Sequence, residues 1–260
     1  DLTTGSSNVV VAIVDDAVLT SHEDLAPVIW TNTGEIPGNG IDDEPNGYID
    51  DVNGWDAANG DNDPNPDGPT NSYFTHGTHC AGITGAATNN SIGIASIGYN
   101  IQIMPVKTAS TGNGTLVAPY LGVQYAIAND ADIISMSWGG GGYSNTYQNL
   151  FNFAHNQGIV LIAAAGNSNS SVLFYPASYN HIISVGATNS SDQKAWFSNY
   201  GDSIDVMAPG KDIWSCLAGS NTSYGYMSGT SMACPLVSGL AALMLSRDPS
   251  LSPDELEACL

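Results

Sequence analysis

The chain predicts an α/β fold: a doubly wound, mostly parallel central sheet with helices on both faces. Three observations carry that expectation. The 260 residues, 42% of them hydrophobic, are enough for one large core, and residues 1–260 read as a single domain. Five short apolar runs rich in β-branched residues carry little alternation, as strands buried on both faces do. Helix-like stretches lie between them, so strand and helix alternate and right-handed crossovers cover both faces of the sheet.

In chain order, Val9 to Val14 is the first strand and ends at Asp15. The polar stretch from Asn32 to Asn71, full of Gly, Pro, Asn and Asp, has too few apolar residues to pack a core and reads as ordered loops that depend on bound ions. A small-residue helix follows at His76 to Thr88, then a strand at Ile101 to Val106 and a helix at Leu116 to Ala128. The alternation continues with a strand at Ile133 to Met136, a helix at Thr146 to Gln157, and strands at Ile159 to Ala163 and Ile182 to Val185. A long apolar helix is expected at Ser231 to Ser246, and Ser252-Pro253-Asp254-Glu255 opens a last one with Ser as cap, Pro at the first position and Glu at the capping-box position.

Lys and Arg number 4 against 25 Asp and Glu, a net charge of -21, which should repel nucleic acid and anionic membrane surfaces. No run of 18 apolar residues exists, and Asp1 is not followed by a basic then apolar leader, so neither a transmembrane helix nor a signal peptide is expected. The cysteines Cys80, Cys216, Cys234 and Cys259 lack the close spacing of a zinc site, and their even number permits one or two disulfides. For Cys80 and Cys234, a bridge and two buried thiols remain alternatives.

A serine hydroxyl is a poor nucleophile at neutral pH and needs a base, whose imidazole in turn needs a carboxylate to hold its tautomer. Asp15 at the carboxyl end of a buried strand, and His76 and Ser231 at the starts of small-residue helices, have the residue types and the contexts for that work. An α/β-hydrolase would want a GxSxG elbow and the order Ser, Asp, His; here the serine stands in Gly229-Thr230-Ser231-Met232-Ala233. His79, three residues beyond His76, reads as a packed histidine rather than a metal ligand, and His22, His155 and His181 also read as structural.

Several motifs together resemble the subtilases, the subtilisin-like serine proteases, over essentially the whole chain. They are VAIVDD around Asp15, HGTHCAG around His76, SMSWGG from Ser135, AAAGN ending at Asn167, VMAPG ending at Gly210, and GTSMACP around Ser231. The resemblance implies a secreted, extracellular, monomeric endopeptidase acting on protein or peptide substrates through an acyl-enzyme. It implies an oxyanion hole from the Ser231 N–H and the Asn167 side chain, assisted by Thr230. Substrate would add as a strand between Ser137, Trp138 and Gly139 on one side and Gly112, Asn113 and Gly114 on the other. The primary pocket would lie between Ser137–Gly139 and Ala164, Ala165 and Gly166; its walls carry no carboxylate and suit a large apolar or aromatic side chain.

Calcium is the cofactor that the resemblance and the clustered carboxylates both suggest, against the alternative of merely solvated loops. By resemblance, Asn89 to Ile94 is a calcium loop, with carbonyls of Thr88, Ile92 and Ile94, the Asn90 amide and the Asp24 carboxylate as ligands. From the residues alone, Asp42, Glu44, Asn46 and Asp50 follow an alternating oxygen pattern, and Asp63, Asn65 and Asp67 repeat it. A weaker site, again by resemblance, would join carbonyls of Ala177, Tyr179 and Ile182 to Asp205.

The chain departs from the family at Asp16 and Ala17, where Ser or Thr and then Gly are usual, and at Leu236, where His is common. A second carboxylate beside Asp15 is expected to raise the pKa of His76 and move activity to higher pH. Family segments at both ends are expected to be missing. The non-enzymatic rival is a catalytically silent calcium-binding module of a larger surface protein; retention of Asp15, His76, Asn167 and Ser231 argues against it.

Overall fold

A computed structural model describes residues 3–68, 74–110 and 115–260. The main sheet is built from β1 (Val10–Asp15), β2 (Trp55–Asp56), β3 (Gln102–Lys107), β4 (Ile133–Met136), β5 (Val160–Ala164), β6 (Ile182–Thr188) and β7 (Val206–Pro209). These strands lie side by side in the order β2-β3-β1-β4-β5-β6-β7, and every neighbouring pair is parallel. The order reverses at β1, and open α/β sheets place their sites at the carboxyl ends of strands beside such a reversal.

Side chains alternate across a strand, so one sheet feeds two cores. Val11, Ile13, Ile133 and Ile162 face one core, which α1 (His76–Gly85) and α4 (Thr230–Arg247) cover. Ala12, Val14, Ile134 and Leu161 face the other, closed by α2 (Pro119–Ala128) and α3 (Asn145–Asn156). Both sets are buried, which is why the strands read as continuous apolar runs. The helices α1 and α4 are rich in Gly, Ala, Ser and Cys, and pack closely on each other and on the sheet.

Element boundaries differ from expectation where local chemistry intervenes. Helix α1 ends at Gly85 rather than Thr88, because Ala86 turns to an extended conformation and the Ala87 N–H goes to the Asp24 carbonyl. Helix α2 begins at Pro119 rather than Leu116, since Val117 and Ala118 both donate to the Thr108 carbonyl and proline suits the first helical turn. The antiparallel hairpin of β8 (Ile213–Cys216) and β9 (Tyr224–Met227) and the edge strands β2 and β7 were not expected; they are two to four residues long. The capping box opens α5 (Pro253–Glu257) as the sequence suggests. From residue 32 to 68 the only strand is β2, and the rest is turn and loop.

Candidate active site

Asp15 is the last residue of β1 and is 2% exposed. Its Oδ1 lies 2.7 Å from His76 Nδ1 and also accepts the Asp16 N–H at 2.7 Å, so the ring is held by a carboxylate that is itself fixed. Helix α1 can bring His76 this close because Gly77 has no side chain: a Cβ there would sit 2.5 Å from the Ala17 carbonyl and 2.9 Å from Asp15 Cβ.

Asp16 follows Asp15 in the chain, and backbone donors take up its carboxylate. It accepts N–H groups from Ala17 at 2.6 Å, Gly77 at 2.7 Å and His76 at 3.2 Å. The Thr75 side chain makes no capping bond, so Asp16 supplies the acceptor for the first N–H groups of α1. Burial, joined by the charge of Asp15, raises its pKa to about 7, while His76 and the two N–H groups of Gly77 and Ala17 oppose the rise.

Burial would lower the pKa of His76. The Asp15 charge, then Cys80 and the hydrogen bond to Asp15, outweigh it and hold His76 well above the usual histidine value. Cys80 lies within 4.0 Å of His76 Nδ1, and its thiol pKa is raised by burial. All four cysteines are free thiols, which resolves the alternative left open for Cys80 and Cys234. His79 is fully buried, its Nε2 faces the carbonyls of Ile213 and Gly225, and burial lowers its pKa to about 4. It ties α1 to the β8–β9 hairpin as a neutral side chain.

Ser231 stands in the first turn of α4, where backbone N–H groups have no intrahelical partner. Its hydroxyl donates to the Ser137 carbonyl at 3.0 Å, so its single proton is turned from His76 in this state. Pro235, four residues on, lacks the N–H that would bond the Ser231 carbonyl. That carbonyl instead accepts Ser137 Oγ at 2.9 Å and Cys80 Sγ at 3.4 Å, linking the Ser231 backbone to the segment after β4 and to α1. Asn167 Oδ1 accepts both the Thr230 N–H at 2.8 Å and the Thr230 hydroxyl at 3.0 Å. The amide Nδ2 is thereby left to donate beside Gly229 and Ser231.

The two expected pocket walls follow β4 and β5, at the carboxyl ends of adjacent strands. Trp138 packs its ring against the second core and donates to the Val14 carbonyl at 2.8 Å. Sequence reasoning missed Phe174. A Cβ on Gly139 would lie 2.2 Å from Phe174 Cε1 and one on Gly166 3.1 Å from Phe174 Cδ1, so the ring spans the gap between Ser137–Gly139 and Ala164–Gly166. The only sequence signal was an aromatic residue beside Tyr175-Pro176, a peptide bond that is cis here. Gly112, Asn113 and Gly114, expected on the other side of the substrate, lie outside the described residues. Next to Gly139 is a cleft of about 450 Å³ lined by Leu116, Pro119, Tyr120, Trp138 and Gly140. A hollow of about 510 Å³ lies at the opposite, amino ends of β4 and β5, away from these groups.

The expected calcium ligands fare differently. Asp24, fully buried, accepts Asn90 Nδ2 at 2.7 Å, the Ile94 N–H at 2.8 Å and the Tyr224 hydroxyl at 3.1 Å. Asn90 Oδ1 takes the Ile92 N–H, so the loop from Thr88 to Ile94 is closed by its own hydrogen bonds, and a cation would have to displace these donors. Asp42 accepts the N–H groups of Asn46 and Gly47, and Asp50 those of Gly38, Asn39 and Gly40. Asp63 holds Asn65, and Asp67 pairs with Lys107 Nζ at 2.9 Å. Asp205 accepts the Ser184 N–H, while Ala177 and Tyr179 sit in the buried turn before Ile182. Of the expected set, Glu44 alone enters a carboxylate cluster, and its partners are Glu35 and Asp51: one oxygen of each lies within 4.8 Å of the others. Asp51 is fully buried, and its Oδ2 has no hydrogen-bond partner. Burial raises the Asp51 pKa; the Tyr125 hydroxyl and the Asn32 amide, which donates to Oδ1 at 2.9 Å, oppose the rise, and the charges of Glu44 and Glu35 add to it. Its oxygens are donors of the kind calcium takes, but Glu35 already accepts the Asp43 and Asp50 N–H groups and Glu44 the Asn32 and Asn46 amides, so here too a cation would have to displace donors.

The family model of the subtilases, peptidase S8, matches residues 6–260. The thermophilic serine proteinase of Bacillus sp. (strain AK1) is 40% identical over 248 residues, 95% of this chain and 54% of that protein. Thermitase of Thermoactinomyces vulgaris is 40% identical over 243 residues, 93% of this chain and 76% of that protein. The chain thus spans about half the length of the first of these relatives. Among solved structures, a cold-adapted subtilisin-like serine proteinase superposes with a TM-score of 0.75 at 29% identity, covering 96% of this chain and 80% of its own. A protease from Pseudoalteromonas arctica PAMC 21717 gives 0.78 at 32% identity, with 99% and 83% covered. On the match of the family model to nearly the whole chain, the protein belongs to the subtilase family.

Proposed function

We propose that the chain is a serine endopeptidase in which Ser231 is the nucleophile, His76 the base and then the acid, and Asp15 the group that orients His76. Rotation of the Ser231 hydroxyl from the Ser137 carbonyl toward His76 lets the imidazole take its proton as Oγ attacks the peptide carbonyl. Asp15 keeps the other ring nitrogen protonated and stabilises the imidazolium. Charge developing on the carbonyl oxygen meets the Ser231 N–H and Asn167 Nδ2; the imidazolium then gives its proton to the leaving amine. Water repeats the sequence to release the acyl group. The observation that carries this reading is the orientation of Asn167: Thr230 holds its oxygen by two bonds, which leaves the amide donor aimed where an oxyanion forms.

The absence of charge on the pocket walls supports an apolar residue before the scissile bond. The Phe174 ring, lying between those walls, would line the pocket and supports the expected large apolar or aromatic side chain there. The apolar cleft beside Gly139 would take another side chain of an extended substrate. In this reading residues 1–260 act as one monomeric domain on protein or peptide substrates outside the cell, without nucleic acid or membrane partners. No helix among the described residues is long and apolar enough to cross a membrane.

Calcium is proposed as a structural ion held by Glu35, Glu44 and Asp51, where it would relieve repulsion among two buried carboxylates and a half-buried one. The test compares the protein with Ser231→Ala on peptide anilides, with calcium and with chelator. Activity lost with Ser231 supports the peptidase, and faster thermal inactivation in chelator supports the ion. Equal inactivity of both proteins with calcium present would favour the silent calcium-binding module.

A further inference from the structure

Far from the cleft, two imidazoles and a carboxylate from three segments meet at the surface. His155 lies in the last turn of α3, His181 directly before β6, and Asp254 in the first turn of α5. The two rings stack with centroids 3.9 Å apart and planes inclined by 25°. His155 Nε2 is 2.8 Å from Asp254 Oδ1, and one donor atom of each of the three residues lies within 4.8 Å of the others. His181 has φ of +68°, a left-handed conformation that non-glycine residues adopt at a cost and that recurs at functional positions. Glu257 faces the same group: burial raises its pKa, Asp205 and Asp254 add to the rise, and His155 opposes it. Negative charge therefore surrounds the pair of rings, while Lys107, Lys194 and Lys211 are engaged elsewhere.

We propose that His155, His181 and Asp254 form a surface site for a divalent ion of the zinc class. Two imidazole nitrogens and a carboxylate oxygen are donors that zinc accepts and calcium, which takes oxygen, does not favour. In a tetrahedral shell with bonds of about 2.0–2.1 Å, neighbouring donor atoms lie about 3.3 Å apart. The present Nε2 to Oδ1 distance of 2.8 Å therefore needs a small opening, and the Asp254 side chain, 75% exposed, is free to make it. The ion would replace the direct contact between His155 and Asp254, draw in His181 and keep water in its fourth position. It would tie α5 to α3.

Zinc chloride titrated into the calcium-saturated protein by calorimetry, with cobalt absorption as a second readout, tests the site independently of the peptidase reading. One equivalent is expected to bind. His155→Gln and His181→Ala should each weaken that step at least tenfold, with folding checked by circular dichroism and peptide hydrolysis unchanged. Asp15, His76 and Cys80 form a competing cluster in the active site. Zinc uptake that survives in the His155→Gln/His181→Ala protein and inhibits hydrolysis would assign the ion to that cluster and overturn the proposal, as would the absence of uptake by the parent protein.

Discussion

Lys107 is one of only 4 basic residues in the chain, yet it is buried at the end of β3, paired in register with Asp15. Its ammonium lies 2.8 Å from Asp56 Oδ2, both side chains being 1% exposed, and 2.9 Å from Asp67, which is 34% exposed. Lys107→Met keeps the stem and removes the charge, so Asp56 is left as a buried anion. Deleting one partner of a buried pair costs about 3–5 kcal/mol. Asp56 would still accept the N–H groups of Ala58 and Asn59 and the Asn59 amide, which points to the lower end, about 3 kcal/mol. At about 2 °C per kcal/mol for a domain of this size, Tm should fall by about 6 °C. Burial lowers the Lys107 pKa, but the bonds and charges of Asp56 and Asp67 outweigh it and raise it above the usual lysine value. With the folded value above the unfolded one, this stabilisation is complete below the unfolded pKa and is lost as pH rises through the folded one; the deficit should therefore be constant from neutral pH to about 9. Calorimetry on the calcium-saturated Ser231→Ala protein, which avoids self-digestion, reads both. A fall of less than about 2 °C would refute the reasoning, because Asp56 would then be protonated or rehydrated at little cost.

Other perturbations address the cleft. Asp16→Asn removes a carboxylate that attracts the His76 imidazolium, so the acid limb of kcat/KM against pH should move to lower pH; an unmoved limb would mean that Asp16 acts on His76 through the backbone alone. Phe174→Ala opens the gap between the pocket walls and should raise kcat/KM for a phenylalanyl over a leucyl anilide by about tenfold, the low end of what a few methylenes are worth in such a pocket; an unchanged ratio would remove Phe174 from the pocket. Asn167→Ala should lower kcat by about 10²–10³ with KM little changed, the range measured for the equivalent donor in subtilisin, and a loss confined to KM would contradict the oxyanion role.

The sheet was legible because strands buried on both faces leave continuous apolar runs, and Val10–Asp15, Ile133–Met136 and Val160–Ala164 lie within a residue of expectation. What escaped was short or set by contacts distant in sequence. Trp55–Asp56 carries no period in two residues, and Tyr224–Met227 has the irregular exposure of a strand in a two-stranded hairpin. The site was legible as residue types: Asp15, His76 and Ser231 lie in short motifs whose chemistry constrains them. Its supports were not, because they are relations between segments. Nothing local announces that Pro235 frees the Ser231 carbonyl for Ser137, that Thr230 orients Asn167, or that Phe174 lies between two glycines.

The carboxylates carry the same lesson further. Read by spacing, Asp42, Asp50, Asp63 and Asp67 looked like ligands, because alternating acids in a Gly-rich loop are how an oxygen shell is written. In the fold most of them accept backbone N–H groups: Asp42 from Asn46 and Gly47, Asp50 from three residues in the turn at Gly38, Asp63 from Asn65. A loop with few apolar residues and no regular ladder has orphan donors along its length, and short carboxylates answer them with charge-assisted bonds. That use explains how a chain with 25 acids and 4 bases holds a long loop together without matching cations. It also sharpens the search for ions: the informative carboxylate is the one that backbone N–H groups leave unanswered, and Asp51, buried beside Glu35 and Glu44 with only the Asn32 amide and the Tyr125 hydroxyl to meet it, is a better candidate than Asp42, Asp50 or Asp63.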